Sequence, residues 1–270
     1  MIKFLSLLAI ASLSLFSCKE NTPAPIEETI VEEVIEIIME KDGIKLSTNQ
    51  LGTNFKNAHL HLISPDSSMT DTGAQTFRFE LENYDLGVNT ADVLSGQCAN
   101  SGKGQHIHFI MNNTPYKAYY EAEFVEPIPP GHNVILSFLS RSYHMSLKDL
   151  GSYVLEEFNT DGSPDNFDET QAHMFYSRPK GEYVGNDAQK VMLDFYLINT
   201  DLKDMNYLVR ATINGVSFDL KDWMPFFIEG LKEGENTIKL ELLDAEGKLL
   251  PSPFNPVERT INVKYSEESI

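Results

Sequence analysis

An apolar rhythm of period two recurs along this chain and restricts it to stacked antiparallel sheets. Phe77, Phe79 and Leu81 alternate with Arg78, Glu80 and Glu82, and Ile107, Phe109 and Met111 alternate with His106 and His108. Val134, Leu136 and Phe138 continue the rhythm, followed by Val191, Leu193 and Phe195, and by Ile238, Leu240 and Leu242. Successive side chains of a strand point to opposite faces, so each run offers one apolar face to a core. Pro129-Pro130-Gly131, Asn214-Gly215 and Glu246-Gly247 separate the runs at spacings that suit a sandwich.

The two halves read as copies of one unit. Residues 59–65 lie on 173–179, and Phe77, Phe79 and Leu81 fall on Val191, Leu193 and Phe195 at the same offset. Further on, Ile107, Phe109, Met111 and Asn112 match Val209, Ala211, Ile213 and Asn214, and Gly131-His132-Asn133 matches Gly234-Glu235-Asn236. The phase of the buried face is preserved, as a tandem repeat of one sandwich requires. The first copy carries an extra loop near residues 87–105. The expected fold class is therefore all-β: two tandem immunoglobulin-like antiparallel sandwiches, over 44–158 and 170–265, joined by a polar linker at 159–169.

The N-terminus reads as an address. Lys3 precedes an apolar run over 4–16, and Ser17-Cys18 follows it, which is the arrangement of a lipoprotein signal over 1–17 with acylation at Cys18. That run is shorter than the roughly 20 apolar residues a membrane span takes. Residues 18–43, acidic and interleaved with Ile and Val, read as a tether that holds the folded part away from a bacterial membrane, outside the cytoplasm and on the outer membrane. A net charge of −19 argues against nucleic acid and against direct docking on anionic lipid. Cys18 and Cys98 are the two cysteines, and a lipidated Cys18 leaves no intrachain disulfide.

Gly104 through Asn113, Phe138 through His144, the Gly-x-Asn turns and the Ser-Cys junction together resemble the immunoglobulin-like envelope lipoproteins of Bacteroidetes. The resemblance implies the fold and supplies no activity. Similar proteins sometimes carry a phosphopeptide-binding label, but the forkhead-associated pattern behind it, a Gly-Arg turn followed by a Ser-x-x-His loop, is not found in this sequence.

Histidine is the one constellation with chemistry. His59-Leu60-His61 and His106-Ile107-His108 each place two imidazoles on the same face of an expected strand, opposite the core. If the two strands are neighbours, four imidazoles share an outer-face patch suited to Zn or Cu, with His144 and Cys98 as additional ligands. The second copy is an internal control: His61, His106 and His108 fall on Phe175, Leu208 and Arg210, so the scaffold does not need histidine there. Cys98 beside a histidine also raises a thiol nucleophile, for which no partner group is placed. No nucleophile elbow, carboxylate pair or cofactor fingerprint appears. The sequence thus points to a non-enzymatic, lipid-anchored envelope module. A histidine-based metal-binding lipoprotein, or an accessory subunit of an envelope or polysaccharide-uptake complex with a protein or glycan partner, are the alternatives.

Overall fold

The structure, a computed structural model, describes residues 38–48, 55–92, 98–164 and 166–266. The lipidation position Cys18 and most of the expected tether lie outside the described residues. The first nine strands are β1 (Ile38–Lys41), β2 (Ile44–Ser47), β3 (His59–Ser64), β4 (Gly73–Glu82), β5 (His106–Met111), β6 (Lys117–Tyr119), β7 (Glu123–Ile128), β8 (His132–Ser140) and β9 (Tyr153–Asn159). The remainder are β10 (His173–Arg178), β11 (Glu182–Val184), β12 (Val191–Ile198), β13 (Leu208–Ile213), β14 (Val216–Leu220), β15 (Phe226–Glu229), β16 (Gly234–Leu243) and β17 (Val257–Lys264). One four-residue helix, Asn186–Gln189, precedes β12.

These strands make two sandwiches of one topology, as the all-β expectation requires. In the first, sheet β3-β4-β7 faces sheet β6-β5-β8-β9; in the second, the same orders return as β10-β12-β15 and β14-β13-β16-β17. The second sandwich is larger, with β1-β2 added beside β15 and β11 added in parallel to β17. Matching side-chain bonds recur in the two copies. Asn112 donates its backbone N–H to Val134 O and accepts from Val134 N, both at 2.8 Å, while its amide donates to Asn133 Oδ1 at 3.0 Å. Asn214 does the same with Thr237 and Asn236, at 2.9, 3.0 and 2.7 Å. Both asparagines occupy the left-handed region, at φ of 51° and 48°, which Asn tolerates better than other residues with a Cβ.

Two expectations are corrected. Residues 38–47, read as the end of the tether and the start of the first sandwich, are strands of the second: Ser47 pairs with Phe227 and Leu46 with Ile228, and Ile44 and Leu46 enter the second core. Their partner is about 180 residues away in sequence, which local periodicity does not register. The offset of the second strand pair also changes. His59 pairs with Glu82 and His173 with Ile198, so Phe77 corresponds to Leu193 and Phe79 to Phe195, two residues beyond the expected alignment. A shift of two leaves the buried face unchanged, and both strand pairs carry their bulge at the same place, between Leu62 and Ser64 and between Tyr176 and Arg178.

Each sandwich has its own core. Ile107, Phe109, Phe77 and Phe158 lie in the first, and Val209, Ala211, Ile213 and Phe218 in the second, all at most 2% exposed. A third apolar layer joins the two. Ile110, Val134, Leu136 and Phe138 on the outer face of β5 and β8 pack with Phe175, Tyr196 and Ile198 on the outer face of β10 and β12. Those four strands are consequently buried on both faces. Lys148 pins this layer from the first sandwich. Its Nζ lies 2.7 Å from Oδ1 of the fully buried Asp194 on β12 and donates to Phe195 O at 3.1 Å.

Candidate metal centre

Alternation along β5 sends Ile107 and Phe109 into the first core and turns His106 and His108 outward. The outward face is expected to be solvated, but the second sandwich and a turn from the first cover it, and both histidines are fully buried. The turn spans 141–145 and is closed by Arg141 N donating to Met145 O at 2.9 Å and His144 N donating to Arg141 O at 2.8 Å. His144 sits there at φ 68°, a region that residues with a Cβ rarely adopt. The left-handed bend turns its imidazole back onto His106 and His108.

Three ring nitrogens converge. His106 Nε2 lies 2.9 Å from His108 Nε2 and 3.0 Å from His144 Nδ1. His106 Nδ1 is 2.8 Å from Gly104 O, and since a carbonyl only accepts, Nδ1 carries the proton and Nε2 holds a lone pair. One lone pair cannot receive two well-directed N–H groups, so the metal-free triad leaves a hydrogen-bond mismatch. A cation bound there would resolve it by taking a lone pair from each ring. Nitrogens about 2.0–2.1 Å from a tetrahedral ion stand roughly 3.3 Å apart, close to the two spacings about His106, and the three ligand atoms all lie within 4.8 Å of one another.

The outer shell has the form such a site needs. The Gly104 carbonyl fixes the His106 tautomer, and Ser177 Oγ from the second sandwich lies 3.4 Å from His108 Nδ1. Gly104 can come this close because it has no side chain: a Cβ there would stand 2.6 Å from the backbone of Gly87. The extra loop of the first copy thereby holds both the triad and its turn. Gln105 N donates to Val88 O at 2.7 Å, Ser101 N donates to Ser142 O at 2.8 Å, and Ser142 N donates to Thr90 Oγ1 at 3.1 Å. Tyr116 stacks on His108 with ring centres 3.6 Å apart, and its hydroxyl is 3.3 Å from His144 Nδ1.

Burial is the main electrostatic influence on the triad. It pushes His106 down to about 4 against a weaker opposing effect of the Gly104 hydrogen bond, and it holds His108 and His144 well below the ordinary imidazole value, with the Arg178 and Lys180 charges adding to the depression. All three rings are neutral at pH 7, the ligand form of imidazole.

The expected four-histidine patch does not form. His59 and His61 lie on β3, in the opposite sheet of the first sandwich, and the strands carrying the two pairs are not neighbours. His61 is exposed with its Nε2 3.9 Å from Glu82, and its ring lies 6.0 Å from that of His59, which packs against Gly151. That pair belongs to a polar sheet face. Cys98 is likewise no ligand: it is buried with Tyr143, Met145, Met192 and Phe227, and burial pushes its thiol up to about 11, away from nucleophilic use. His173, the match of His59, is satisfied by Ser252 Oγ and Asp168 O. Trp223 packs against the second core and the layer between the sandwiches and donates its indole N–H to Phe195 O at 2.9 Å. Among the described residues no helix is long and apolar enough to cross a membrane.

No protein-family model matches the chain, and no curated protein matches it. Among solved structures it is similar to the fibronectin(III)-like modules of Clostridium thermocellum CbhA, at 10% identity over 76% of this chain and 95% of that one, with a TM-score of 0.28. It is also similar to the FN1–FN3 domains of chicken CNTN1, at 8% identity over 77% of this chain and 66% of that one, with a TM-score of 0.23. A third is the SGBP-B protein of the Bacteroides ovatus mixed-linkage glucan utilization locus, at 7% identity over 77% of this chain and 71% of that one, with a TM-score of 0.20.

Proposed function

We propose that this protein is a non-enzymatic, lipid-anchored envelope protein that binds one transition-metal ion, Zn or Cu, on His106, His108 and His144. The observation that carries the reading is the convergence of three neutral ring nitrogens, with His106 Nε2 at 2.9 and 3.0 Å from the other two. Imidazole suits both metals, and three protein ligands leave one coordination position for something else. The envelope address rests on the signal-like run ending at Cys18.

Calorimetric titration of the chain with Zn and with Cu tests the site, using a His106→Ala/His108→Ala variant and a His61→Ala control. The parent and the control take up one equivalent, and the double variant takes up none. Equal uptake by the double variant contradicts the assignment. Cys18→Ala tests the anchor: it should abolish partition into a detergent phase, and a variant that partitions like the parent removes the lipid from the account.

A further inference from the structure

A second group of side chains gathers beside the triad, and it is cationic. The chain has 21 Lys and Arg against 40 Asp and Glu. Yet among the described residues no carboxylate lies in ion-pair range of Arg178, Lys180 or Arg259, whereas carboxylates hold Lys148, Lys203, Arg210 and Lys264. Carbonyls and rings hold the three instead. Lys180 Nζ donates to Tyr116 O at 2.6 Å and sits 3.8 Å from the centre of the Tyr116 ring. Arg259 donates to the carbonyls of Asn113, Thr114 and Ser177 and lies 4.3 Å from the Tyr176 ring. Arg178, 5% exposed, donates from Nη2 to Tyr183 Oη at 2.9 Å, while its Nε is buried without a hydrogen-bond partner. Burial and the two arginines push Lys180 down to about 8, the response of a cation whose neighbours are uncompensated.

A metal ion beside these charges adds positive charge to a buried cationic region, and a buried net charge is costly unless a counter-charge accompanies it. Tyr116 shows where that counter-charge fits. Its ring is nearly parallel to His108, tilted by 13° at 3.6 Å. An ion bound to His108 Nε2 lies in the plane of that imidazole, so the phenol oxygen stands about one stacking distance from it, well beyond a bond of about 2.0–2.2 Å. Tyr116 is therefore no fourth ligand. Its hydroxyl, 3.3 Å from His144 Nδ1, is placed to donate a hydrogen bond to an atom that occupies the fourth position.

Building on the metal site proposed above, we infer that the fourth coordination position takes a small monoanion of carboxylate or halide size, held by the Tyr116 hydroxyl and by the charges of Arg178 and Lys180. The complete burial of His106 and His108 restricts the ligand to that size.

Azide binding to the copper(II)-loaded full chain tests the inference, with the azide-to-copper charge-transfer absorption as readout and formate as competitor. The parent gives a saturable band that formate displaces. Tyr116→Phe keeps its copper and binds azide about tenfold more weakly, the loss of one hydrogen bond to a charged group, and Lys180→Met weakens azide in the same direction. Urea midpoints near the parent's show that both variants are folded. A chain that binds copper but gives no azide band, or a Tyr116→Phe variant that binds azide as tightly as the parent, overturns the anion site and leaves the metal site standing. A parent that takes no copper overturns both.

Discussion

Strands β5 and β13 hold the same place in two copies of one sandwich, yet their outer faces have opposite fates. On β13 the residues matching His106 and His108 are Leu208 and Arg210, part-exposed, with Arg210 paired to Asp219 at 2.7 Å near solvent. On β5 the histidines are sealed under the other sandwich. The turns that follow their neighbours β8 and β16 differ in the same sense. Bridges Ser140–Ser146 and Leu243–Leu249 close turns with matching bonds, Arg141 N to Met145 O and Asp244 N to Lys248 O, each at 2.9 Å. At the left-handed position the second copy has Gly247, φ 80°, where the first has His144, φ 68°. Glycine adopts that conformation freely, whereas a residue with a Cβ spends about 1 kcal/mol or more there. The fold thus accepts the turn without histidine, and the first copy retains a costlier residue that completes the triad. Such local strain is characteristic of functional positions.

The largest expected effect separates the buried face from the exposed one. Asp194→Ala leaves Lys148 without its partner inside the layer between the sandwiches and should lower unfolding free energy by about 3–5 kcal/mol. Asp219→Ala, on the solvent side of the second copy, should cost about 0.2–1 kcal/mol. Guanidinium unfolding of both variants makes the comparison, and equal costs would show that the layer between the sandwiches is not a persistent part of the folded state. Next in size is metal linkage. Zinc at a hundred times its dissociation constant should stabilise the parent by about 2.7 kcal/mol and leave the His106→Ala/His108→Ala variant unchanged.

The pH dependence has a definite sign. The triad imidazoles bind protons less readily folded than unfolded, so the metal-free protein has its full stability above pH 6.5 and loses it as pH falls through 6.5 toward about 4 for His106. The slope should reach about 1.4 kcal/mol per pH unit for each such group and flatten in the double variant. The smallest change is the most informative about duplication. His144→Gly installs the second copy's residue, should move metal-free stability by no more than about 1 kcal/mol, and should abolish the zinc-induced shift. Retention of that shift would remove His144 from the site.

Much of the architecture was legible because period two and asparagine turns are local signals. The phase of Phe77, Ile107 and Val209 toward their cores follows from alternation alone, and so does the shared face of His106 and His108. What alternation does not encode is which sheets meet. Outer faces read as solvated, although the nearly unbroken apolar runs of β8 and β12 are a sign of strands buried on both sides. Spacing alone groups His59 and His61 with the other pair, but strand adjacency depends on topology, which puts β3 and β5 in different sheets. His144 stood in the sequence only as an additional ligand, since nothing local shows that a left-handed residue at the end of β8 turns back over β5.

X-ray absorption at the zinc edge of the chain loaded with one equivalent of Zn tests the central claim most directly. The account predicts a first shell of three imidazole nitrogens at about 2.0–2.1 Å plus one light-atom ligand, and no bound zinc in His144→Gly. A shell of carboxylate oxygens, a sulfur ligand, or a spectrum unchanged by that substitution would contradict it.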